Sequence, residues 1–415
     1  MDDVQTQLPI KLLDLLLTIN FDVKIKAILH HKPSGNSMQA QVSGLNIDDA
    51  VNYHYDEFPP KLIDYASLVA QLVSATDALA RYDQMLKNMH NSEILLAPLR
   101  NQEAVISSRM EGTVSTMDEI LKYEADFEAE GVEAPNARSE VVETFLYQRA
   151  LKGTQQAIES GQPLSQQLIR MAHQTLLSWG RGAAKSPGQF KTEQNYLADR
   201  QKKNILFVPI SPERLQDGMD LLFDYIENSK DVPLIKAALS HVEFEALHPF
   251  KDGNGRIGRM IITLLLWRSG VISAPHFYIS GFMEEHKDEY IDRLRDVSKS
   301  GDWTGWCAFF LEAVEKQAYR NLDISENIRT LYETMKQEFS EALASKWSVN
   351  ALDFVFTNPV FRNSRFTRTS GIPSATAARF TRVLVEKNLL SVIEEPAGRR
   401  PALYAFEPLL KLVRV

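Results

Sequence analysis

Among 415 residues there is a single cysteine, Cys307. No disulfide can form within the chain, so the fold rests on its core, which suits a reducing compartment. Cys307 lies in an apolar run, Trp306-Cys-Ala-Phe-Phe310, and reads as buried filler rather than a nucleophile. Long apolar runs are missing too. The longest, Met260-Ile-Ile-Thr-Leu-Leu-Leu-Trp267, falls well short of the roughly 20 residues a membrane helix needs. The early segment LLDLLLTINF is also too short to span and follows Met1-Asp-Asp rather than basic residues. The expectation is a cytoplasmic protein with no membrane contact. Positive charge is scarce over most of the chain: 46 Lys and Arg face 54 Asp and Glu, net −8. The deficit is uneven, because residues 346–415 hold 11 basic and 5 acidic residues, net +6, and everything before them is −14. An acidic body with a basic tail assigns any nucleic-acid contact to the tail.

Composition is otherwise that of a globular protein, 44% hydrophobic and 24% charged, long enough for two or three domains of roughly 100–200 residues. The informative stretch is His248-Pro-Phe-Lys-Asp-Gly-Asn-Gly-Arg-Ile-Gly-Arg259. Residues 235–247 read as an amphipathic helix, and Pro249 biases His248 away from helical angles, so the imidazole belongs at that helix's end. Residues 256–267 read as a second, apolar helix. Between them Asp252-Gly-Asn-Gly255 forms a tight loop whose glycines leave backbone N–H groups bare at a helix N-terminus, a cradle for phosphate. Arg256 and Arg259, three apart, can both aim their guanidiniums back over it. Asp252 puts a carboxylate beside the anion, useful only with a cation such as Mg²⁺ between them. Phe250 points into the core, and Lys251 faces solvent.

Around this loop the pattern predicts mostly helices. A long amphipathic helix starts at Pro59-Pro60 and carries Leu62, Tyr65, Leu68, Val69, Leu72, Val73, Ala75, Leu79 and Tyr82 as a bundle-core stripe. Further helices are expected over 101–112, 140–160, 164–179, 211–227 and 315–346, with an acidic connector over 124–138. Short strands are expected near 21–26 and 38–42. Residues 187–198 and 204–209 alternate around a polar turn at 199–203 and read as a hairpin. In the tail, helices over 351–361, 365–370 and 374–387 and strands flanking Pro396-Ala-Gly-Arg-Arg400 resemble a winged helix-turn-helix. Thr376, Arg379 and Arg382 on its recognition helix, with Arg399 and Arg400 on the wing, are placed for DNA contact through 374–400; a protein-docking module is the other reading.

The loop is identified as a match to the Fic family signature His-x-Phe-x-(Asp/Glu)-Gly-Asn-Gly-Arg-x-x-Arg, with all eight specified residues present in a window of twelve. The resemblance implies a mainly α fold: a Fic helical bundle with a β-hairpin flap, here followed by a small α+β winged helix. The expected division is a helical N-terminal region to 138, a catalytic core over 139–312, a linker helix over 313–346, and the winged helix over 347–415. Relatives usually read Pro-Gly-x-Phe-Arg-x-x-Gln-Asn-Trp-Ile-Gly at the flap, where this chain has Pro187-Gly-Gln-Phe-Lys-Thr-Glu-Gln-Asn-Tyr-Leu-Ala198, with Lys191 for Arg. The flap, about 190–208, would hold the target protein by strand addition.

Fic proteins of this kind move AMP from ATP to a side-chain hydroxyl of a target, which can include the enzyme itself. By that resemblance His248 takes the proton from a Ser, Thr or Tyr hydroxyl as it attacks the α-phosphorus. Gly253, Asn254 and Gly255 hold the α-phosphate, Arg256 the β and Arg259 the γ, with Asp252 on Mg²⁺. Tyr290 stands where the family places a ring near the base, or is an interfacial tyrosine with its hydroxyl in water. Ser107-Ser-Arg-Met-Glu111-Gly112 fits the inhibitory pattern (Ser/Thr)-x-x-x-Glu-(Gly/Asn), in which Glu111 would occupy Arg259 and misalign ATP; otherwise Glu111 is an exposed helix-end acid. The alternatives are an enzyme that removes AMP with the same site, Glu111 positioning a water, and a transcriptional regulator that senses nucleotide.

Overall fold

A computed structural model describes residues 45–88, 91–130, 137–199, 201 and 203–415. The strands expected near 21–26 and 38–42 lie outside that range, as do Gly131 and Pro135 of the expected connector. The chain divides into two compact units, one of residues 1–50 and 196–208, the other of 51–195 and 209–415.

In the larger unit, β1 (Val51–Asn52) leads to Tyr53 and His54, whose side chains both bond Glu243, at 2.6 and 2.8 Å. Helix α1 spans Tyr65–Lys87. It begins later than Pro59-Pro60 because Asp64 caps it, accepting from the Ser67 N–H at 3.2 Å. The expected stripe splits accordingly. Leu68, Ala75, Leu79 and Tyr82 are core, but Val69 and Val73 are 55% and 63% exposed because the helix buries one face only, and Leu62, 82% exposed, lies ahead of it. Helix α2 (Glu93–Met110) is a single element that includes Pro98, rather than starting at 101. Helix α3 (Met117–Glu130) occupies much of the expected connector, its acidic residues Asp118 and Glu119 favourable in the first turn.

Helices α4 (Ser139–Glu159) and α5 (Gln166–Leu176) follow and pack together. The smaller unit holds the hairpin of β2 (Leu197–Ala198) and β3 (Ile205–Val208), in register Leu197 with Phe207. Its strands are shorter than the sequence alternation predicts. Asp199 closes its turn by accepting from the Lys203 N–H and the Asn204 amide, and Asn46 bridges to Lys203 and Ile205. Back in the larger unit, α6 (Pro212–Asn228) has Ser211 in the cap position without a side-chain capping bond. Helices α7 (Pro233–Leu247) and α8 (Asn254–Arg268) form the central pair. Thirteen of the fifteen α7 residues are counted in the core, Leu234, Ile235 and all of 237–247, so it is buried all round rather than amphipathic.

After α9 (Ser280–Glu285) and α10 (Lys287–Ser300), α11 runs unbroken from Trp303 to Leu343. The segment expected as a separate linker helix therefore continues a core helix. It is packed against α1 and the tail, with Ile328, Tyr332, Phe339 and Leu343 buried. The tail consists of α12 (Ser348–Thr357), β4 (Val360–Arg362), α13 (Asn363–Thr369), α14 (Ser374–Glu386), β5 (Ser391–Glu394), β6 (Leu403–Ala405) and α15 (Glu407–Val413). Its antiparallel sheet has the order β4-β6-β5. The helix expected to reach 361 stops at Thr357 because Pro359 forbids helical angles at Asn358. Much of the tail's basic charge is spent at home. Buried Arg362 meets Asp126 of α3 and Glu394, Arg400 also meets Asp126, and Arg414 meets Asp118. No helix among the described residues is long and apolar enough to cross a membrane.

Candidate nucleotide site

The site forms where α7 hands over to α8. Pro249 excludes ordinary helical angles for its predecessor, and His248 ends α7 in the left-handed region at φ 45°, ψ 61°. For a residue with a Cβ this conformation costs of order 1–3 kcal/mol and persists only where the surroundings hold it. They do so through consecutive carbonyls. The Lys191 ammonium donates to Leu247 O at 3.0 Å, the Asn195 amide to His248 O and Phe250 O at 3.0 and 3.1 Å, and the Lys191 N–H to Pro249 O at 2.8 Å. His173 of α5 reaches Asp252 O at 2.9 Å through Nε2, takes the Gly188 N–H on Nδ1, and stacks on Phe250 at 3.8 Å.

His248 Nδ1 lies 3.3 Å from Glu245 O. A carbonyl only accepts, so Nδ1 carries the proton and Nε2 offers its lone pair. Burial, then the Lys191 charge, holds the imidazole down to about 4, with Glu111 opposing. The ring is neutral at physiological pH and able to accept a proton.

Gly253 caps α8 at φ 78°, a conformation that needs glycine, and its N–H turns back to Asp252 Oδ1 at 2.6 Å. The N–H groups that remain for an anion are those of the first α8 turn, residues 254–256, which have no helical partners. Asn254 departs from expectation. Its amide donates to Phe250 O and accepts from the Phe250 N–H, both at 2.8 Å, so its side chain closes the loop and only its backbone faces a ligand. Gly255 is required by crowding: a Cβ there would lie 2.2 Å from Glu111 Oε1 and 2.9 Å from Arg259 Nη1. The carboxylate of Glu111 thus lies against the cradle itself.

The two arginines are both buried. Arg259 donates Nε to Ser107 Oγ at 2.9 Å and Nη2 to both Ser107 O and Glu111 Oε1 at 2.8 Å. Among the described residues Arg256 meets Asp252, 3.6 Å away, and its Nε and Nη1 have no hydrogen-bond partner. A buried guanidinium with two idle donors is costly unless an anion completes it. Gly112, at φ 83°, ends α2 in the left-handed turn that follows Glu111, where a side chain would be strained. That helix end is further pinned by Arg109 on Glu284 and by Lys287 on Met110 O. The Tyr290 hydroxyl is not in water: the residue is 5% exposed, with its hydroxyl 2.9 Å from His241 Nε2. Asp252 keeps a 44% exposed carboxylate, a donor suited to a Mg²⁺ that takes its other oxygens from phosphate and water. Among the described residues no cluster of three or more ligating side chains exists to hold a metal without substrate.

Two residues of this constellation escaped the sequence reading, His173 and Glu245, while Lys191 and Asn195 were read only as part of the flap motif. Glu245 is buried against Gly258 and pushed up to about 8 by burial, so it is a neutral acid beside the site. The visible signal for it was an acid three residues before His248 on an apolar helix.

Residues 69–156 match the Fic/DOC family N-terminal model and residues 163–266 the Fic/DOC family model. Over 86 residues the chain is 31% identical to protein adenylyltransferase fic-1 of Caenorhabditis elegans, covering 20% of this chain and 16% of that one. Over 146 residues it is 25% identical to a probable protein adenylyltransferase of Aquifex aeolicus, covering 32% and 46%. The chain thus spans less than half the length of these curated relatives. A crystal structure of a Fic family protein from Desulfovibrio desulfuricans G20 shares the fold, with TM-score 0.52 at 17% identity over 84% of this chain and 98% of that one.

Proposed function

From the Fic/DOC N-terminal and Fic/DOC domains that the chain carries over residues 69–156 and 163–266, we propose that it is a protein adenylyltransferase held inactive by Glu111. The observation that carries the reading is the contrast at the cradle: Arg256 is buried with two idle donors while Arg259 is occupied by Glu111.

In this reading ATP lies with its α-phosphate on the N–H groups at the start of α8, its β-phosphate on Arg256, and its γ-phosphate on Arg259 once Glu111 has withdrawn. A Ser, Thr or Tyr hydroxyl oxygen attacks the α-phosphorus, and His248 Nε2 takes its proton. The bond from that phosphorus to the bridging oxygen breaks, pyrophosphate leaves, and AMP stays on the target. Asp252 is the residue that would hold Mg²⁺, which supplies charge neutralisation to the phosphates when bound. The hairpin at about 190–208 is the surface proposed for the target segment. Incubating the Glu111→Gly protein with labelled ATP and cell extract tests this, with His248→Ala as the blank: label in protein is expected only where His248 is intact, and no label in either would end the proposal.

One observation favours a second activity of the same site. The Glu111 side chain is one-third exposed and lies against the cradle, where it can orient a water for removal of AMP. Release of AMP from a modified protein by the wild type, and not by Glu111→Gly, would establish it. In the tail, Arg379, Arg382 and Arg399 are exposed and remain the proposed DNA contacts of a winged helix. Arg400 is tied to Asp126 and Glu394, so the wing contributes less than its sequence suggests.

A further inference from the structure

We infer that Lys191 and Asn195 are positioning residues for His248, acting as one unit that holds four consecutive carbonyls, Leu247 to Phe250, and so fixes the strained turn presenting the imidazole. The inference rests on the proposed AMP transfer and adds residues that lie outside the signature.

The geometry is specific. A chain reversing from α7 into α8 leaves the carbonyls of 247–250 outside any helical ladder, and buried carbonyls must find donors. Two residues four apart supply all of them. Lys191 uses its backbone N–H on Pro249 O and its ammonium on Leu247 O. The same ammonium donates to Asn195 Oδ1 at 2.8 Å, which orients that amide so that its NH₂ faces His248 O and Phe250 O. Lys191 therefore sets Asn195, and both set the turn. Lys191 is 3% exposed and has no carboxylate partner among the described residues, and burial holds its ammonium down to about 7. A buried amine facing only neutral oxygens is an expensive way to fill space, and its positive charge lowers the basicity of His248. The charged groups that act on His248 are then Lys191 from the loop before the hairpin and Glu111 from the end of α2, with Glu245 of α7 touching it through its backbone carbonyl.

The test uses the full chain carrying Glu111→Gly. Lys191→Met removes the donor and the charge without burying a new polar group, and Asn195→Asp keeps the acceptor for Lys191 but removes both donors to the turn. Each is expected to lower kcat about 30- to 100-fold, as misplacement of a reacting group by about 1 Å does, with ATP affinity within twofold. Lys191→Arg should restore most of the rate. Loss of ATP affinity in step with kcat, or an unchanged kcat, would overturn the assignment. A second measurement needs no turnover. The His248 ring resonance, identified by its absence in His248→Ala, should titrate about one pH unit higher in Lys191→Met and stay in place in Lys191→Arg. A resonance unmoved by Lys191→Met refutes the coupling even if AMP transfer fails, whereas a parent Glu111→Gly protein without transfer counts against the proposed function alone.

Discussion

Arg256 and Arg259 lie three residues apart on α8, equally buried and equally charged, and yet their surroundings differ in kind. Arg259 is complete: a hydroxyl, a carbonyl and a carboxylate from α2 meet its donors. Arg256 meets a distant carboxylate and leaves two nitrogens idle. A charge that folding has already satisfied contributes to stability, whereas one left unsatisfied lowers it and is retained for a ligand. Under the proposed function the pair separates what would hold the protein shut from what would bind nucleotide.

The comparison can be broken at several points. The largest effect concerns the chemistry both arginines would serve: in the Glu111→Gly background, His248→Ala should cut labelled AMP incorporation by about 10²–10⁴-fold and leave ATP affinity intact by calorimetry. Loss of affinity as well would mean that His248 holds the phosphate rather than the proton. Next, Arg256→Ala should weaken ATP binding by about 10- to 100-fold, the value of about 1.5–3 kcal/mol for hydrogen bonds to a charged group, without lowering the melting temperature. Arg259→Ala should do the reverse in the wild type, costing about 1–3 kcal/mol of stability through the unpaired Ser107 and Glu111 and changing ATP affinity little. Equal melting losses in the two variants would erase the contrast.

A smaller effect is expected from Glu111 itself. Glu111→Gly should tighten ATP binding by about tenfold, or roughly 1.4 kcal/mol, with Glu111→Gln between the two. The smallest is a pH effect. Burial raises the Glu111 carboxyl, but the Arg259 charge and hydrogen bond outweigh it and hold it below the usual range. A depressed carboxylate contributes its pairing above its unfolded pKa and loses it as pH falls through the folded value. Wild-type ATP affinity should therefore be flat from pH 8 to 5 and rise, relative to Glu111→Gly, only below the ordinary glutamate range. A rise near pH 6 would assign the clamp to another group.

How much of this was legible beforehand follows physical range. The cradle is local: Pro249, two glycines and arginines at a spacing of three determine their own geometry within a dozen residues, and they lie where the spacing predicts. Ser107 and Glu111 likewise meet Arg259, and the left-handed turn after Glu111 is written in Gly112. The holding contacts were not legible. Lys191 and Asn195 are 56 and 53 residues from the carbonyls they hold, and the flap motif that contains them does not say what they hold. The Asn254 amide, expected on the α-phosphate, bonds the Phe250 backbone in this structure. In α1 the spacing was right and the face was not: Val69 and Val73 obey helical periodicity but have no partner among the described residues to bury them. The linker helix expected over 313–346 is the later part of α11, because a charged surface does not interrupt a helix whose other side is packed.

The missing side chain of Gly255 carries a last implication. A Cβ there would lie 2.2 Å from Glu111 Oε1, on the ground where the proposed function puts a phosphate. A methyl group there would evict brake and fuel together, so Gly255→Ala should give a protein that is neither restrained nor active. If the proposed function holds, loss of inhibition without loss of catalysis would have to come from α2 rather than from this glycine.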